Sequence, residues 1–161
     1  MHLTGAPLRL RRATEDDTKL IWKWVNDPAV RASAFSTDPI PWEEHAAWFD
    51  NKTQDPLCRI FIAIDADENP IGLTRFDITK KGEAEIDVNI AKKARGKKYA
   101  VPLIDMSVQK LFASTDTKSV SAYIREENEA SIRSFEKAGF SLRGKDKRKG
   151  IQALHYSRTR S

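Results

Sequence analysis

The feature that most constrains this chain is a change of pattern between residues 83 and 106. The segment EAEIDVNI (83–90) alternates polar and apolar side chains, which is typical of a β-strand with two different faces. Five basic residues follow within positions 92–98, and then an apolar run predicts a helix from about Tyr99 to Ala113. Unpaired backbone N–H groups at the start of such a helix suit a phosphate. The segment alone is equally compatible with a solvated, lysine-rich loop.

The remaining sequence predicts one mixed α/β domain covering residues 1–161. Hydrophobic periodicity predicts further strands at 8–14, 58–65, 70–79, 119–125, 140–143 and 151–159, and further helices at 15–25, 41–52 and 128–140. The predicted element order is therefore β-α-α-β-β-β-α-β-α-β-β. The charged run GKDKRKG is predicted to be a turn between the last two strands.

Charge and composition narrow the class of protein. The net charge is +5, yet the positive excess lies in segments 92–98 and 143–149, and acidic residues outnumber basic ones elsewhere. This distribution favours a small phosphorylated ligand over nucleic acid. No apolar run approaches the ~20 residues of a bilayer span, and no export signal is evident. The lone cysteine, Cys58, cannot form an internal disulfide and fits a reducing cytoplasm. The three histidines are far apart in the sequence and show no metal-ligand spacing.

Two motifs resemble the paired signatures of the GNAT superfamily of N-acetyltransferases. RGKKYA (95–100) partly matches the family loop [QR]-x-x-G-x-[GA], with Lys98 at the usual glycine. NEASIRSFEKAGF (128–140) matches almost all of N-x-x-[SA]-x-x-x-[YF]-E-K-x-G-F. The resemblance implies a twisted, mixed but mostly antiparallel sheet of about seven strands, flanked by four helices. It also implies acetyl-CoA as co-substrate and direct attack by a primary amine in a ternary complex.

The same resemblance implies a binding site for acetyl-CoA. The pantetheine arm would lie where strands 83–90 and 119–125 splay apart, and the backbone of 95–100 would hold the pyrophosphate. The residues assigned to the cofactor are Val88, Asn89, Ile90, Arg95, Gly96, Lys97, Lys98, Tyr99, Ala100, Asn128, Ser131 and Lys137. Asn128 is equally suited to a plain helix N-cap. Lys137 is a candidate for the 3′-phosphate, or an ordinary surface lysine.

Acetyl transfer to an amine requires a base and donors for the developing oxyanion. Glu85 and Asp87 lie on the polar side of the central strand and are the candidate bases. The resemblance favours Glu85, although neighbouring strands or solvent are equally good partners for either carboxylate. The backbone N–H of Val88 or Ile90 is the expected oxyanion donor.

The general acid is not evident in the sequence. Many family members have a tyrosine where this chain has Phe135, and phenylalanine has no proton to donate. Tyr123 is a candidate replacement, alongside Tyr99, Tyr156 or water. Departure of CoA as an unprotonated thiolate is a further alternative, and we expect that no dedicated side-chain acid exists.

The N-terminal helices should contact the acceptor amine. The run from Ile21 to Lys52 resembles the nucleotide-amino-sugar acetyltransferases of pseudaminic-acid and related surface-polysaccharide pathways. The matching residues are Trp24, Asn26, Pro28, Val30, Arg31, Glu43, Glu44 and His45. The substrate-side candidates are Trp24, Asn26, Arg31, Phe35, His45 and Arg75.

The resemblance implies that the acceptor is the amino group of a nucleotide-linked sugar. Alternatives are a protein N-terminal or lysine acetyltransferase, a non-catalytic acyl-CoA-binding relative and, least favoured, a nucleic-acid module. We expect no nucleic-acid or membrane partner, and a homodimer is compatible with this interpretation.

Overall fold

The structure is a computed structural model in which residues 8–161 are described. Its strands are β1 (Leu8–Arg12), β2 (Cys58–Asp65), β3 (Pro70–Lys80), β4 (Glu83–Ile90), β5 (Ser119–Arg125), β6 (Ser141–Arg148) and β7 (Ile151–Thr159). Its helices are α1 (Thr18–Val25), α2 (Pro28–Ser33), α3 (Trp42–Gln54), α4 (Ala100–Ser114) and α5 (Glu129–Lys137). Among the residues described, none of these helices combines the length and apolarity that crossing a bilayer requires.

The strands form one seven-stranded sheet in the order β1-β2-β3-β4-β5-β7-β6. Every neighbouring pair is antiparallel except β4 and β5, which are parallel. The predicted mixed, mostly antiparallel α/β fold is therefore confirmed. Strands β2, β4, β5 and β7 have the predicted bounds.

Four helices were predicted, and the described residues contain a fifth, the short helix α2, to which no predicted element corresponds. The Asp27 carboxylate accepts the N–H of Ala29 at 3.0 Å, and Pro28 occupies the first position of α2. Asp27 thus caps a new helix, and proline is tolerated at that first position. The same residues that stop one helix start the next.

The predicted turn in the charged run 144–150 is also too long. Strand β6 continues to Arg148, and only Lys149 and Gly150 turn, with φ angles of 51° and 80°. The side chains of β6 are mostly polar and exposed, so the hydrophobic pattern of this strand is weak. The extension places Arg148 on the sheet, with consequences for the site.

The two faces of the sheet are covered by different helices. Helices α4 and α5 cover one face, where Ala84 and Ile86 of β4 join a core that includes Phe135. Helices α1 and α3 cover part of the other face through Ile21 and Phe49. Because side chains alternate along β4, its acidic residues project to this second face, where part of the sheet is left open to ligands.

Candidate active site

The central opening of the sheet lies between β4 and β5. The two strands pair only as far as Glu85 and Ser121. Beyond that point, the β4 segment 86–90 retains β3 as its neighbour but has no partner strand on the β5 side. Backbone hydrogen-bonding groups along this edge are therefore available to an extended ligand.

The direction of the backbone groups on β4 decides which residues can serve that ligand. The Ala91 N–H donates to the Ile71 carbonyl of β3 at 2.8 Å. Because N–H groups alternate along a strand, those of Val88 and Ile90 point the other way, into the gap. The Asn89 carbonyl faces β3, since a Cβ at Gly72 would lie 2.6 Å from its oxygen. Val88 and Ile90 fit the cofactor assignment, whereas the backbone of Asn89 belongs to the β3–β4 ladder.

The loop after β4 leads directly into the N-terminus of α4. Helix α4 has no side-chain cap and no acidic residue in its first turn. The N–H groups of Ala100 and Val101 consequently have no intrahelical partner. Gly96 and Lys98 both adopt left-handed conformations, with φ angles of 77° and 64°. Lys98 therefore keeps the backbone shape that the family achieves with glycine.

Arg95 has a different role from the one assigned from sequence. Its Nε donates to the Ile90 carbonyl at 3.1 Å, and its Nη1 lies 3.3 Å from the Asp27 carboxylate. Its backbone N–H donates to the Lys92 carbonyl. Arg95 thus ties the loop to β4 and to the start of α2, instead of offering these groups to a phosphate.

The second motif also divides into parts with different roles. The Asn128 side chain accepts the Ser131 N–H at 3.3 Å, so Asn128 is the N-cap of α5 and Ser131 supplies the capped backbone group. Lys137, at the other end of α5, lines a cavity of about 570 Å³ with Asp105 and Arg158. The loop 95–100 contributes nothing to that cavity. Lys137 therefore lies at a cavity whose lining excludes the phosphate loop, and its contact with the 3′-phosphate stays a prediction.

The two candidate bases differ in how strongly they are paired. The Glu85 carboxylate accepts a hydrogen bond from Arg148 in an ion pair. Asp87 has a side chain that is 56% exposed, and its nearest cation, Arg75 Nη1, is 3.8 Å away. Asp87 also lies beyond the last β4–β5 ladder pair, whereas Glu85 lies within it. Of the two, Asp87 has the carboxylate that is free to receive a proton.

Arg75 is held mainly by a carboxylate other than Asp87. It donates to Asp77 at 2.9 Å, and Asp77 also accepts from Lys52 at 3.0 Å. Burial alone would raise the pKa of Asp77, but the two cations outweigh it and lower that pKa. Asp77 therefore stays ionised and fixes Arg75 beside Asp87.

Tyr123 lies in a stack on the same face as these carboxylates. Its ring lies parallel to the His155 ring, with centroids 4.7 Å apart, and the guanidinium carbon of Arg148 is 3.7 Å from its ring centre. His155 Nε2 is in turn 2.8 Å from the Ser121 hydroxyl. Arg148 and His155 were missed by sequence reasoning, because the periodicity of β6 and β7 does not reveal which residues reach β4.

The other tyrosines are poorly placed to protonate a thiolate in the gap. The Tyr156 hydroxyl donates to Glu136 at 2.9 Å, and burial raises the pKa of Tyr156. Tyr99 lies at the start of α4 and packs on a cluster that includes Leu103. Phe135 is buried in the core beneath α5.

Three predicted substrate residues make hydrogen bonds within the N-terminal corner, which consists of α1, α2, the connection from α2 to α3 and the start of α3. Asn26 receives the Ile40 N–H at 2.7 Å and donates to the Ile40 carbonyl at 3.1 Å. Arg31 donates to the carbonyls of Val25 and Ser36. His45 is 2% exposed with its Nε2 2.9 Å from the Thr18 carbonyl, and burial lowers the pKa of His45. The polar groups of these three side chains are therefore engaged in hydrogen bonds within this corner.

The other substrate-side candidates keep exposed surface. Trp24 is half-buried and lines a cavity of about 590 Å³ between α1 and residues 91–95. Phe35 is half-buried in the connection between α2 and α3. That connection is attached to the end of β5, where Arg125 donates to the carbonyls of Ala32 and Ala34 at 3.1 and 3.0 Å.

Within residues 8–161 no cluster of His, Cys, Asp or Glu side chains is arranged to hold a metal ion.

Comparison with known families identifies this arrangement. Residues 7–141 match the acetyltransferase (GNAT) domain family. The chain belongs to that family. This GNAT chain is accordingly an acetyl-CoA-dependent N-acetyltransferase, as the two motifs predicted. No curated protein matches its sequence.

Solved structures with this fold include two enzymes of low sequence identity. The spermidine N-acetyltransferase from Vibrio cholerae, in complex with CoA and spermine, has a TM-score of 0.85 and 21% identity, over 94% of this chain and 95% of that chain. The aminoglycoside acetyltransferase AAC(6')-Ib, in complex with coenzyme A and kanamycin, has a TM-score of 0.83 and 20% identity, over 96% and 95%. At such identities the likeness establishes a shared fold. It gives no support to a nucleotide-sugar acceptor.

Proposed function

We propose that this N-acetyltransferase acetylates the amino group of a nucleotide-linked amino sugar, acting as a single domain over residues 1–161. The observation that carries the proposal is the pairing of opposite charges around the gap: the half-exposed Asp87 lies beside Arg75. A nucleotide amino sugar carries both an ammonium group and phosphates, so it needs partners of both signs. The resemblance of the N-terminal segment to nucleotide-amino-sugar enzymes supports the same acceptor class.

The gap between β4 and β5 suits the acetyl thioester. With the pantetheine arm along residues 86–90, the N–H groups of Val88 and Ile90 are available to the thioester carbonyl. Such donors stabilise the negative charge that develops on that oxygen during attack. The N–H groups of Ala100 and Val101 then serve the pyrophosphate at the positive end of α4.

Asp87 is the proposed base. The carboxylate takes a proton from the ammonium, and the amine nitrogen then attacks the carbonyl carbon to form a tetrahedral intermediate. The C–S bond breaks as the amide forms, the nitrogen loses its second proton to water, and CoA leaves as a thiolate that takes up a proton from solvent. Tyr123 is proposed to shape this site through its ring, because its stacking partners are Arg148 and His155.

The acceptor class is tested by measuring CoA thiol release with a panel of amines. The panel contains UDP-linked 4-amino sugars, the corresponding free amino sugars, spermidine, an aminoglycoside and peptides with free α- and ε-amines. We expect the highest kcat/KM with a UDP-linked sugar. A higher kcat/KM with spermidine or a peptide would reject the acceptor, and no turnover with any amine would favour a non-catalytic relative.

A further inference from the structure

A second concave site lies beside the gap, between α1 and the segment that follows β4. Its volume is about 590 Å³, and its apolar wall is formed by Leu20 and Trp24 of α1. Lys23, Lys92 and Lys93 also line it. The volume is within the range of about 300–1,000 Å³ that is usual for small-molecule sites.

This cavity lies at the end of β4, next to the opening that suits acetyl-CoA. Ala91 forms part of its lining and is hydrogen-bonded to Ile71 of β3. Arg95, which also lines the cavity, donates to the Ile90 carbonyl, so the cavity adjoins both edges of β4 at the point where this strand ends. Its outer wall belongs to α1, which covers the acceptor face of the sheet.

The charges of the cavity leave a net positive site. Asp27 and Arg95 both line it, but they form an ion pair with each other at 3.3 Å. Lys23, Lys92 and Lys93 are exposed, and in the part of the chain that the structure describes none of them forms an ion pair. Three unpaired lysines beside an indole can hold two phosphates and stack a planar base.

We propose that this cavity, designated the lysine–tryptophan cavity, binds the nucleoside diphosphate end of the acceptor. The inference rests on the proposed function, because it assumes that the acceptor is nucleotide-linked. Lys92 and Lys93 pair with the diphosphate, Trp24 contacts the base, and the sugar extends towards Asp87. This assigns a ligand to the part of the basic cluster that precedes the pyrophosphate loop.

Calorimetric titration of the intact enzyme with UDP and, separately, with CoA tests this assignment. The test variant is Lys92→Ala/Lys93→Ala. The matched control is Lys81→Ala/Lys118→Ala, which removes two exposed lysines at the opposite end of β4. Loss of two charge-assisted contacts should weaken UDP binding by roughly tenfold or more, while CoA affinity stays within about twofold. The control variant should bind both ligands as the wild type does.

Several results would overturn the assignment. These are the absence of UDP binding to the wild type, equal UDP affinity in test and control variants, or a parallel loss of UDP and CoA affinity. The last result would assign the lysines to the cofactor. Turnover of UDP-linked sugars with an unchanged acceptor KM in the test variant would reject this cavity alone, and the proposed function would stand. If the amine panel rejects nucleotide sugars, the UDP titration still decides the cavity independently.

Discussion

The guanidinium carbon of Arg148 lies 3.7 Å from the ring centre of Tyr123. The same guanidinium donates to Glu85 of β4. Arg148 therefore connects the edge strand β6 to the central strand β4, although β5 and β7 lie between these strands in the sheet. A cation over an aromatic ring is attracted to the ring itself and requires nothing from the phenolic hydroxyl. Tyr123 therefore helps to position Arg148 through its aromatic face.

Replacement of Tyr123 by phenylalanine should leave catalysis nearly intact. The stack with Arg148 and His155 is retained, and we expect kcat to stay within about threefold of wild type, whereas loss of a general acid costs about 10²–10⁴-fold. Steady-state thiol release measures this directly. Tyr123→Leu is the control that removes the ring, and it should lower activity more. A hundredfold loss in Tyr123→Phe with an unchanged acetyl-CoA KM would identify Tyr123 as the acid.

Lys98 allows the backbone and side-chain contributions of the phosphate loop to be separated. Its φ of 64° is strained for lysine, and the left-handed region costs roughly 1–2 kcal/mol for residues with a Cβ. Lys98→Gly and Lys98→Ala both remove the charge, but only glycine relieves the strain. We expect the glycine variant to have the higher free energy of unfolding, by about 1 kcal/mol.

The acetyl-CoA KM of the same two variants tests what holds the pyrophosphate. If the backbone N–H groups do so, both variants should keep the wild-type KM. A similar rise in the acetyl-CoA KM of both variants would show that the Lys98 ammonium binds the pyrophosphate.

Asn26, in the N-terminal corner, should contribute to stability and not to acceptor binding. Asn26→Ala leaves both backbone groups of Ile40 without their partner, and we expect the free energy of unfolding to fall by about 1–3 kcal/mol. Denaturant unfolding measures this, with Asn51→Ala, an exposed position on α3, as the control. At a temperature where both are folded, the acceptor KM should be unchanged. An Asn26→Ala variant of normal stability with a strongly raised acceptor KM would return Asn26 to the substrate site.

The sequence predicted the fold well where local patterns are strong. The alternation of 83–90 and the Asn128 and Gly139 signals around α5 gave correct elements, because each depends on neighbours in the chain. The short helix α2 was missed, since its six residues carry no hydrophobic stripe and bury none of their side chains. A helix of this length depends on its Asp27 cap and on tertiary contacts.

The site was less predictable for a physical reason. The Arg148–Glu85 pair joins residues that are 63 positions apart, and the ends of α2 are held by Arg95 and Arg125 from distant elements. Such contacts follow from sheet topology and not from local periodicity. The N-terminal resemblance predicted substrate contacts for Asn26, Arg31 and His45, but the polar groups of these side chains hydrogen-bond within the N-terminal corner.

His45 should make the stability of the enzyme depend on pH. Burial lowers the pKa of His45 below its ordinary value of 6.5, so the unfolded chain takes up a proton more readily than the folded one. This contribution is fully present above pH about 6.5 and is lost as the pH falls through the lower folded-state pKa. We expect His45→Gln to be less stable at pH 7 but to lose less stability on acidification. Denaturant unfolding at several pH values checks this, and parallel curves for the two proteins would contradict it.

The most direct test of the account is the rate of thiol release by Asp87→Asn compared with Glu85→Gln. With Asp87 as the base, Asp87→Asn should lower kcat by about 10²–10⁴-fold near neutral pH, with the acetyl-CoA KM little changed. Glu85→Gln alters a carboxylate already paired with Arg148 and should have a much smaller effect. Near-normal turnover in Asp87→Asn, together with a collapse in Glu85→Gln, would contradict the account and make Glu85 the base.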